Sequence, residues 1–297
     1  MQNISSKTLP GIFFEQANSL KDRPLFWSKK EGFWEGVTWS DAAVQVRKLA
    51  SVLQSYGVKK GDRVLIASEN RPEWAISDLA IMSLGAIMVP AYTSNTEEDN
   101  NYLLTHSQAK LAITSGGNVA SRLCLAADSN KFIKNIILID ADPRNFTVKG
   151  CKLLSWNEEI KKVDIDSKFE KSIEKLSDED VCCFIYTSGT GGRPKGVMLT
   201  HKSIFSNILA CSDVIKDVKI EEKVFLSLLP LSHAYEHTCG FHWPIFLGAE
   251  IYYSESTEAV AQNLQDVKPT LMIAVPRLYE VLYSRIVNGI KAKGGIS

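Results

Sequence analysis

The apolar positions of the chain follow two periods that alternate along it. After Thr38, apolar residues recur at helical spacing as far as Leu53, Thr38 and Asp41 have the spacing of a capping box, and Gly57 marks the end of the predicted helix. Short apolar runs then alternate with further helical patterns, which is the βαβ rhythm of a parallel sheet with helices on both faces. The strands predicted here are 63–67, 86–90, 110–114 and 135–140, and the helices include 72–84 and 97–105.

A polar segment, 157–180, interrupts this rhythm, because it is rich in Lys, Glu, Asp and Ser and has few large apolar residues. We interpret it as an exposed connector, with room for a short helix, between subdomain 1 at about 38–156 and subdomain 2 at about 181–290. The predicted fold class is therefore α/β, with two α/β subdomains that have mostly parallel sheets and flanking helices. The elements predicted for subdomain 2 are strands at 181–186, 224–229, 250–253 and 271–275, and helices at 202–217, near 241, at 258–267 and from 276 onward.

Composition excludes several classes of protein. The 297 residues are 45% hydrophobic, which allows a large core, and 34 basic residues balance 34 acidic ones, so the charge gives no support for nucleic-acid binding. None of the six cysteines forms a C-x-x-C pair, and we expect reduced cysteines in the core of a cytoplasmic protein. We expect no signal peptide, and the longest apolar stretch, Leu79–Ala91, is too short to span a bilayer.

The run IYTSGTGGRPKGVMLTH, residues 185–201, has the composition of a polyphosphate site. Glycines allow backbone N–H groups to approach an anion closely, hydroxyl groups can donate to phosphate oxygens, and Lys195 supplies a mobile positive charge. It is not a Walker loop, since Pro194 stands before Lys195 and Gly196 follows it. Because it follows one apolar run and precedes a predicted helix, we expect the loop between a strand and a helix, at the carboxyl end of the strand.

The same run resembles the signature of the acyl-adenylate-forming superfamily, Tyr-Thr-Ser-Gly-Thr-Thr-Gly-x-Pro-Lys-Gly, with Gly191 where threonine is usual. The strings at 57–74, 84–96, 248–256 and 268–286 resemble long-chain fatty acyl-CoA synthetases, so the resemblance covers almost the whole chain. It implies a partial AMP-binding domain that activates a fatty acid with ATP and Mg²⁺ to acyl-AMP, releases pyrophosphate and then forms a thioester with coenzyme A.

The resemblance also assigns site residues. Lys195 and His233 are the implied catalytic residues, His233 lying near the reacting carboxylate. Tyr235 and Trp243 are candidates for the acyl tunnel, although aromatic residues in this region are also typical of core packing. Replacing threonine by Gly191 is expected to weaken phosphate binding by about 1 kcal/mol, the net value of one hydrogen bond. The implied phosphate-binding residues are Thr187, Ser188, Gly189, Thr190, Gly191, Gly192 and Lys195.

His233 and His237 also satisfy H-x-x-E-H, a zinc-peptidase signature. That motif belongs on a helix, whereas here it follows an apolar strand-like run and Pro230, so we expect no metal site. For Glu236, His237 and His242 we expect structural or pocket-wall roles.

The chain contains no Tyr-Gly-x-Thr-Glu or Thr-Gly-Asp string, which the superfamily uses for adenine, magnesium and ribose. We therefore expect the incomplete N-terminal domain of a longer ligase. The alternative is a truncated, non-catalytic module that binds a nucleotide or an acyl chain. The expected partners are fatty acid, ATP and coenzyme A, with peripheral membrane contact compatible with an acyl substrate; oligomeric state is not predicted.

Overall fold

The structure is a computed structural model that describes residues 4–166, 169–187, 192–276, 278–280, 283–284 and 287. These residues form two mixed sheets, one of seven strands and one of five, with helices packed against them. The predicted α/β class with mostly parallel sheets is confirmed. The strands in chain order are β1 (Pro24–Lys30), β2 (Phe33–Thr38), β3 (Arg63–Ala67), β4 (Ile87–Ala91), β5 (Leu111–Thr114), β6 (Asn135–Leu138), β7 (Lys152–Ser155), β8 (Val181–Thr187), β9 (Lys195–Thr200), β10 (Val224–Ser227), β11 (Glu250–Tyr253) and β12 (Leu271–Met272).

The helices connect successive strands and cover the faces of both sheets. A 3₁₀ turn at Pro143–Asn145 and a π-helix at Glu236–His242 complete the described elements. The α-helices are α1 (Leu9–Leu20), α2 (Trp39–Ser55), α3 (Pro72–Ser83), α4 (Glu97–Ser107), α5 (Gly117–Asp128), α6 (Trp156–Lys162), α7 (Phe169–Glu174), α8 (His201–Val214), α9 (Trp243–Leu247) and α10 (Val260–Val267).

Each sheet is parallel except for one antiparallel strand at its edge. The larger sheet has the order β7-β6-β5-β3-β4-β8-β9, with β9 antiparallel to β8. The smaller sheet has the order β12-β10-β11-β1-β2, with β2 antiparallel to β1. The carboxyl ends of the parallel strands therefore meet at one edge of each sheet, where open α/β sheets place ligands.

Helix α3 lies in the core between the two sheets and contacts β3 and β4 of the larger sheet and β1 of the smaller one. Nearly every residue of α3 is buried, including the polar residues Ser77, Asp78 and Ser83. Ser77 and Ser83 satisfy their hydroxyl groups by donating to carbonyl oxygens one turn earlier, both at 2.6 Å. Asp78 has no such local partner, and its environment is described with the histidines that face it.

Two strand pairings join residues on opposite sides of the predicted boundary at residue 181. β8, which was expected to open subdomain 2, pairs with β4 of the larger sheet through Met88 and Cys183. β1, which precedes the predicted subdomain 1, pairs with β11 of the smaller sheet. Both pairings join residues far apart in sequence, so local periodicity cannot indicate them. Each sheet therefore combines strands from both sides of that boundary.

The segment predicted as an exposed connector is more ordered than expected. It contains α7 and all of α6 except its first residue, and Phe169 is buried. The Phe169 ring packs edge-to-face on Phe14 of α1, with centroids 5.3 Å apart, and the guanidinium of Arg47 lies 4.7 Å from the Phe14 ring centre. A single aromatic anchor in a polar segment has no periodicity, which is why the pattern indicated a surface connector.

All six cysteines lie in the described part of the chain, and none is in a disulfide. Cys151 and Cys211 are half-buried, while Cys124, Cys182, Cys183 and Cys239 are buried. Among the described helices, none is long and apolar enough to cross a membrane.

Candidate active site at the carboxyl end of β8

The glycine-rich loop joins two antiparallel strands, β8 and β9, whereas the sequence predicted a strand followed by a helix. Thr187, the last residue of β8, is the register partner of Lys195, the first residue of β9, and α8 begins only at His201. Residues 195–200 had no predicted element because their glycine and lysine suggested loop. Thr187, Gly192 and Lys195 are exposed at the end of this hairpin where the connecting loop lies. The predicted phosphate-binding residues Ser188, Gly189, Thr190 and Gly191 lie outside the described residues.

Gly196 fits the hairpin because it lies directly opposite Tyr186. A Cβ atom at Gly196 would lie 3.2 Å from Cζ of the Tyr186 ring, closer than ordinary van der Waals contact. The ring therefore covers the glycine across the two strands, and burial of the ring raises the pKa of the Tyr186 phenol to about 12. This contact fixes the base of the loop at its carboxyl-terminal side.

Helix α4 holds the loop from the other side. Tyr102 Oη donates to the carbonyl oxygen of Pro194 at 2.7 Å, and His106 Nδ1 shares a hydrogen bond of 2.8 Å with Tyr186 Oη. The guanidinium of Arg193 lies 5.6 Å from the centre of the Tyr102 ring, within cation–π range. The residues next to Lys195 are thus tied to a helix of the larger sheet.

His233 lies in the loop that follows β10, and its backbone and ring are both fixed. Its backbone N–H donates to the carbonyl oxygen of Pro230 at 2.8 Å. The backbone N–H of Tyr235 donates to His233 Nδ1 at 3.2 Å, so Nδ1 is the acceptor of the ring and Nε2 carries the proton. His233 is exposed, and with Nδ1 accepting from Tyr235, Nε2–H is the donor of the ring.

Asn70, in the turn between β3 and α3, holds the loop that carries His233. Its Nδ2 donates to the carbonyl oxygen of Leu229 at 2.7 Å, and its Oδ1 accepts from the backbone N–H of Leu231 at 2.9 Å. A further bond of 3.2 Å joins Nδ2 to Ser227 Oγ at the end of β10. One side chain therefore links the carboxyl ends of a strand from each sheet.

A cavity of about 390 Å³ brings two of the predicted residues together. Thr187, at the end of β8, and His233, in the loop after β10, both line it, as does Pro194, which precedes Lys195 in sequence. The wall includes a mixture of rings, apolar side chains and polar groups, which is typical of small-molecule sites. Its other lining residues are Pro90, Tyr92, Asn95, Asp99, Tyr102, Leu103, Ile185, Tyr186 and Ala234.

The two residues predicted for an acyl tunnel lie elsewhere. Tyr235 is 43% exposed beside the loop. Trp243 is buried, donates from Nε1 to Ser212 Oγ at 2.9 Å and packs edge-to-face on Phe225, with centroids 5.5 Å apart. Neither lines the cavity that contains His233, and their tunnel role stays a prediction.

Only the last two residues of the zinc-peptidase motif, Glu236 and His237, lie on the π-helix, and His233 lies in the loop before it. The two histidines of the motif do not form a metal-binding group in the described part of the chain, since His237 is grouped with His242 and Asp78 and His233 is not among them. Glu236 is fully buried and accepts from Ser227 Oγ at 2.6 Å. Burial raises the pKa of the Glu236 carboxyl to about 8, so this side chain is mostly neutral at pH 7.

Sequence reasoning missed Asn70, Tyr102 and His106 as residues that position the site. Tyr102 and His106 are four residues apart on α4, a spacing that places both rings on one face of the helix. The sequence therefore contained a pattern that could have indicated them. Asn70 carried no such signal, since its partners, Leu229 and Leu231, are about 160 residues away in sequence.

An α/β domain with a glycine-rich hairpin loop at the carboxyl end of its sheet has the architecture of the N-terminal domain of adenylate-forming enzymes. The structure matches coronafacic acid ligase from Pectobacterium brasiliense with a TM-score of 0.78 at 18% identity, covering 94% of this chain and 52% of that one. It matches the adenylation domain of a carboxylate reductase from Mycobacterium chelonae with a TM-score of 0.81 at 17% identity, covering 98% and 49%.

The chain belongs to the AMP-binding enzyme family, whose family model matches residues 13–294. It is 31% identical over 278 residues to fatty acyl-CoA synthetase A of Dictyostelium discoideum, covering 91% of this chain and 40% of that protein. It is 29% identical to a human long-chain-fatty-acid–CoA ligase, covering 97% and 43%, and 29% identical to one from Mycobacterium tuberculosis, covering 92% and 44%. The chain thus spans less than half the length of these relatives.

Proposed function

We propose that this chain is the N-terminal portion of a long-chain fatty acid–CoA ligase. The observation that supports this most directly is the cavity at the carboxyl end of β8, where Thr187 and Pro194, on either side of the glycine-rich segment, meet His233. The relatives named as long-chain fatty acyl ligases at about 30% identity support the substrate class. The proposed reaction activates a fatty acid with ATP to acyl-AMP and pyrophosphate, and coenzyme A then displaces AMP.

In this reaction the protein mainly positions the reactants and neutralises charge. A carboxylate is already ionised at neutral pH and attacks the α-phosphorus without a general base. Lys195, exposed at the start of β9, would pair with phosphate oxygens as a mobile cation. The hydroxyl of Thr187 and the backbone N–H groups of the glycine-rich loop would donate to the same phosphates.

His233 would act as a donor instead of a base. Because Tyr235 N–H occupies Nδ1, the ring offers only Nε2–H to the cavity. That proton can hydrogen-bond to the fatty carboxylate or to the acyl phosphate oxygen and hold the reacting group against the loop. Asn70 and Pro230 would keep the ring in this place through the backbone of the loop.

Mg²⁺, which accompanies ATP in this chemistry, has no protein cage among the described residues of the cavity. Asp99 is the one carboxylate among the described lining residues, and its Oδ2 already accepts from the backbone N–H and the hydroxyl of Thr96 at the start of α4, at 2.9 Å and 2.7 Å. Mg²⁺ requires several oxygen ligands in octahedral geometry. We therefore derive no step through Mg²⁺ from these residues.

Pyrophosphate release by the full-length protein, measured with and without fatty acid, tests the proposal. Lys195→Ala should lower fatty-acid-dependent release by about a hundredfold, as the loss of a transition-state cation does elsewhere, and Thr190→Ala should lower it in the same direction. Lys202→Ala is the matched control, because Lys202 is an exposed lysine on α8 that pairs with Glu179. Full activity in both loop variants would refute the loop assignment, and no release with any fatty acid would favour a binding module.

A further inference from the structure

Three titratable side chains that the proposed reaction does not use meet in the core. Asp78 lies on α3, between the two sheets, and His237 and His242 lie on the π-helix that follows β10. Asp78 and His237 are 0% exposed and His242 is 2% exposed. Their candidate ligand atoms all lie within 4.8 Å of one another, so the cluster links the helix of one sheet to the segment that follows the other.

The distances within the cluster are nearly equal. His237 Nε2 lies 3.3 Å from Asp78 Oδ1, His242 Nε2 lies 3.2 Å from Asp78 Oδ2, and the two Nε2 atoms are 3.2 Å apart. A charge-assisted N–H···O bond is usually about 2.7–2.9 Å long. Two ligands that share one tetrahedral zinc ion, each about 2.0–2.1 Å from it, are roughly 3.3 Å apart. The cluster has the spacing of ligands around a cation.

The hydrogen bonds of the cluster are incomplete within the described part of the chain. Asp78 Oδ2 has no hydrogen bond within the described part of the chain, although His242 Nε2 is 3.2 Å away. If both Nε2 atoms carried protons, the two N–H groups would lie beside each other against one carboxylate, with their nitrogens 3.2 Å apart. If only one Nε2 atom carried a proton, that single N–H group could not donate to the other ring nitrogen and to both oxygens of Asp78 at once. A cation accepts lone pairs from both rings and from the carboxylate at once.

The backbone explains how the two histidines come together. They are five residues apart, and on an α-helix, with 3.6 residues per turn, such residues point about 140° away from each other. A π-helix pairs residues five apart along its axis, so it brings them to one face, and π-helices are rare and frequent at functional sites. Gly240 accommodates this turn, because a Cβ atom there would lie 2.4 Å from the Glu236 carboxylate.

We propose that Asp78, His237 and His242 form a buried structural site for a divalent metal ion of the zinc class. Two imidazole nitrogens and one carboxylate are a donor set that zinc prefers over magnesium or calcium. The fourth position would be taken by the second carboxylate oxygen or by a water molecule. Because the three ligands are buried, the ion has a structural role that ties α3 to the π-helix, and it is acquired as the chain folds. This site is separate from the His233 cavity and does not depend on the proposed ligase reaction.

The test uses full-length protein purified without a histidine tag. After unfolding and refolding with ZnCl₂ and gel filtration, elemental analysis should find about one zinc per chain. Refolding with CoCl₂ should give the visible ligand-field bands of tetrahedral cobalt. The midpoint of thermal unfolding should be several degrees higher after refolding with zinc than after refolding with a chelator, because only the native state binds the ion.

Asp78→Asn and His242→Gln keep the side-chain shape but remove a ligand, so both should lose the stoichiometric zinc and the cobalt bands. His106→Gln, at an exposed histidine on α4, is the matched control and should keep both. Should either ligand variant fail to fold, the cobalt spectrum and the chelator-dependent midpoint of the unsubstituted protein still decide. Refolded protein with no zinc, no cobalt bands and an unchanged midpoint would overturn the proposal, as would zinc retained in both ligand variants.

Discussion

At the residue scale, the absence of a side chain at Gly240 leaves the space that the buried Glu236 carboxyl group occupies. We predict that Gly240→Ala lowers the free energy of unfolding by about 1–3 kcal/mol, the usual cost of overpacking a core. The reason is that the new Cβ would lie 2.4 Å from the Glu236 carboxylate, which is itself buried. Urea denaturation measures this change. Gly192→Ala is the control, since no atom of the described residues lies within 4 Å of a Cβ atom there, and equal effects of the two substitutions would contradict the account.

His201 gives the molecule a pH dependence that can be isolated. It is buried at the start of α8, its Nδ1 accepts from the backbone N–H of Leu9 at 3.4 Å, and burial lowers the pKa of its ring from 6.5 to about 4. In the unfolded chain the His201 ring is protonated below about pH 6.5, whereas in the native state it stays neutral down to about pH 4. The contribution of His201 to the free energy of unfolding is therefore fully present above pH 6.5 and is lost as the pH falls toward 4. The difference between the two pKa values corresponds to about 3 kcal/mol.

Denaturation of His201→Gln across this pH range measures the contribution of His201. The variant should lose less stability between pH 6.5 and pH 4 than the unsubstituted protein, since it lacks the group that titrates. Identical pH profiles for the two proteins would show that His201 is not the group responsible.

Asn70 positions the loop that carries His233, a role that the sequence did not indicate. Asn70→Ala removes a donor to Leu229 O and an acceptor for Leu231 N–H, and should destabilise the fold by about 1–3 kcal/mol, because buried backbone groups lose their partners. It should also slow pyrophosphate release by the full-length protein, since the loop carries His233. Asn18→Ala, at an exposed asparagine of α1, is the control. Unchanged release would mean that the loop is held without Asn70.

At the element scale, α4 stabilises the glycine-rich hairpin loop. Tyr102→Phe removes the hydrogen bond of 2.7 Å to Pro194 O but keeps the ring that Arg193 covers. The loss of about 1 kcal/mol should raise the KM for ATP roughly fivefold in the full-length protein, with a smaller effect on kcat. Tyr279→Phe, at a tyrosine that is 60% exposed, is the matched control. An unchanged KM would show that α4 does not position the loop.

Buried strands were easier to predict from the sequence than exposed ones. β3 and β11 were predicted at their observed bounds, because short apolar runs limited by polar residues define buried parallel strands. β2 and β9 are edge strands with many exposed residues and a glycine each, so neither shows the alternation or the apolar run that marks a strand. These two edge strands are therefore among the elements that pattern reasoning misses.

At the scale of the whole molecule, the sequence indicated the chemistry of the site but not its assembly. Lys195 and Thr187 were assigned from a contiguous string, and their pairing across β8 and β9 needs only local structure. The meeting of Thr187 with His233 depends on the packing of one sheet against the other, which no periodicity encodes. For the same reason, the proximity of Asp78 to His237, separated by 159 residues, became visible only in the folded chain.

The most direct test of the ligase account is product analysis with the full-length protein, ATP, Mg²⁺, coenzyme A and an equimolar series of fatty acids from acetate to stearate. We expect mass spectrometry to detect long-chain acyl-CoA in preference to acetyl-CoA, together with AMP and pyrophosphate in equal amounts. ADP in place of AMP, or the absence of any acyl-CoA from a folded protein that retains ATP binding, would contradict the account.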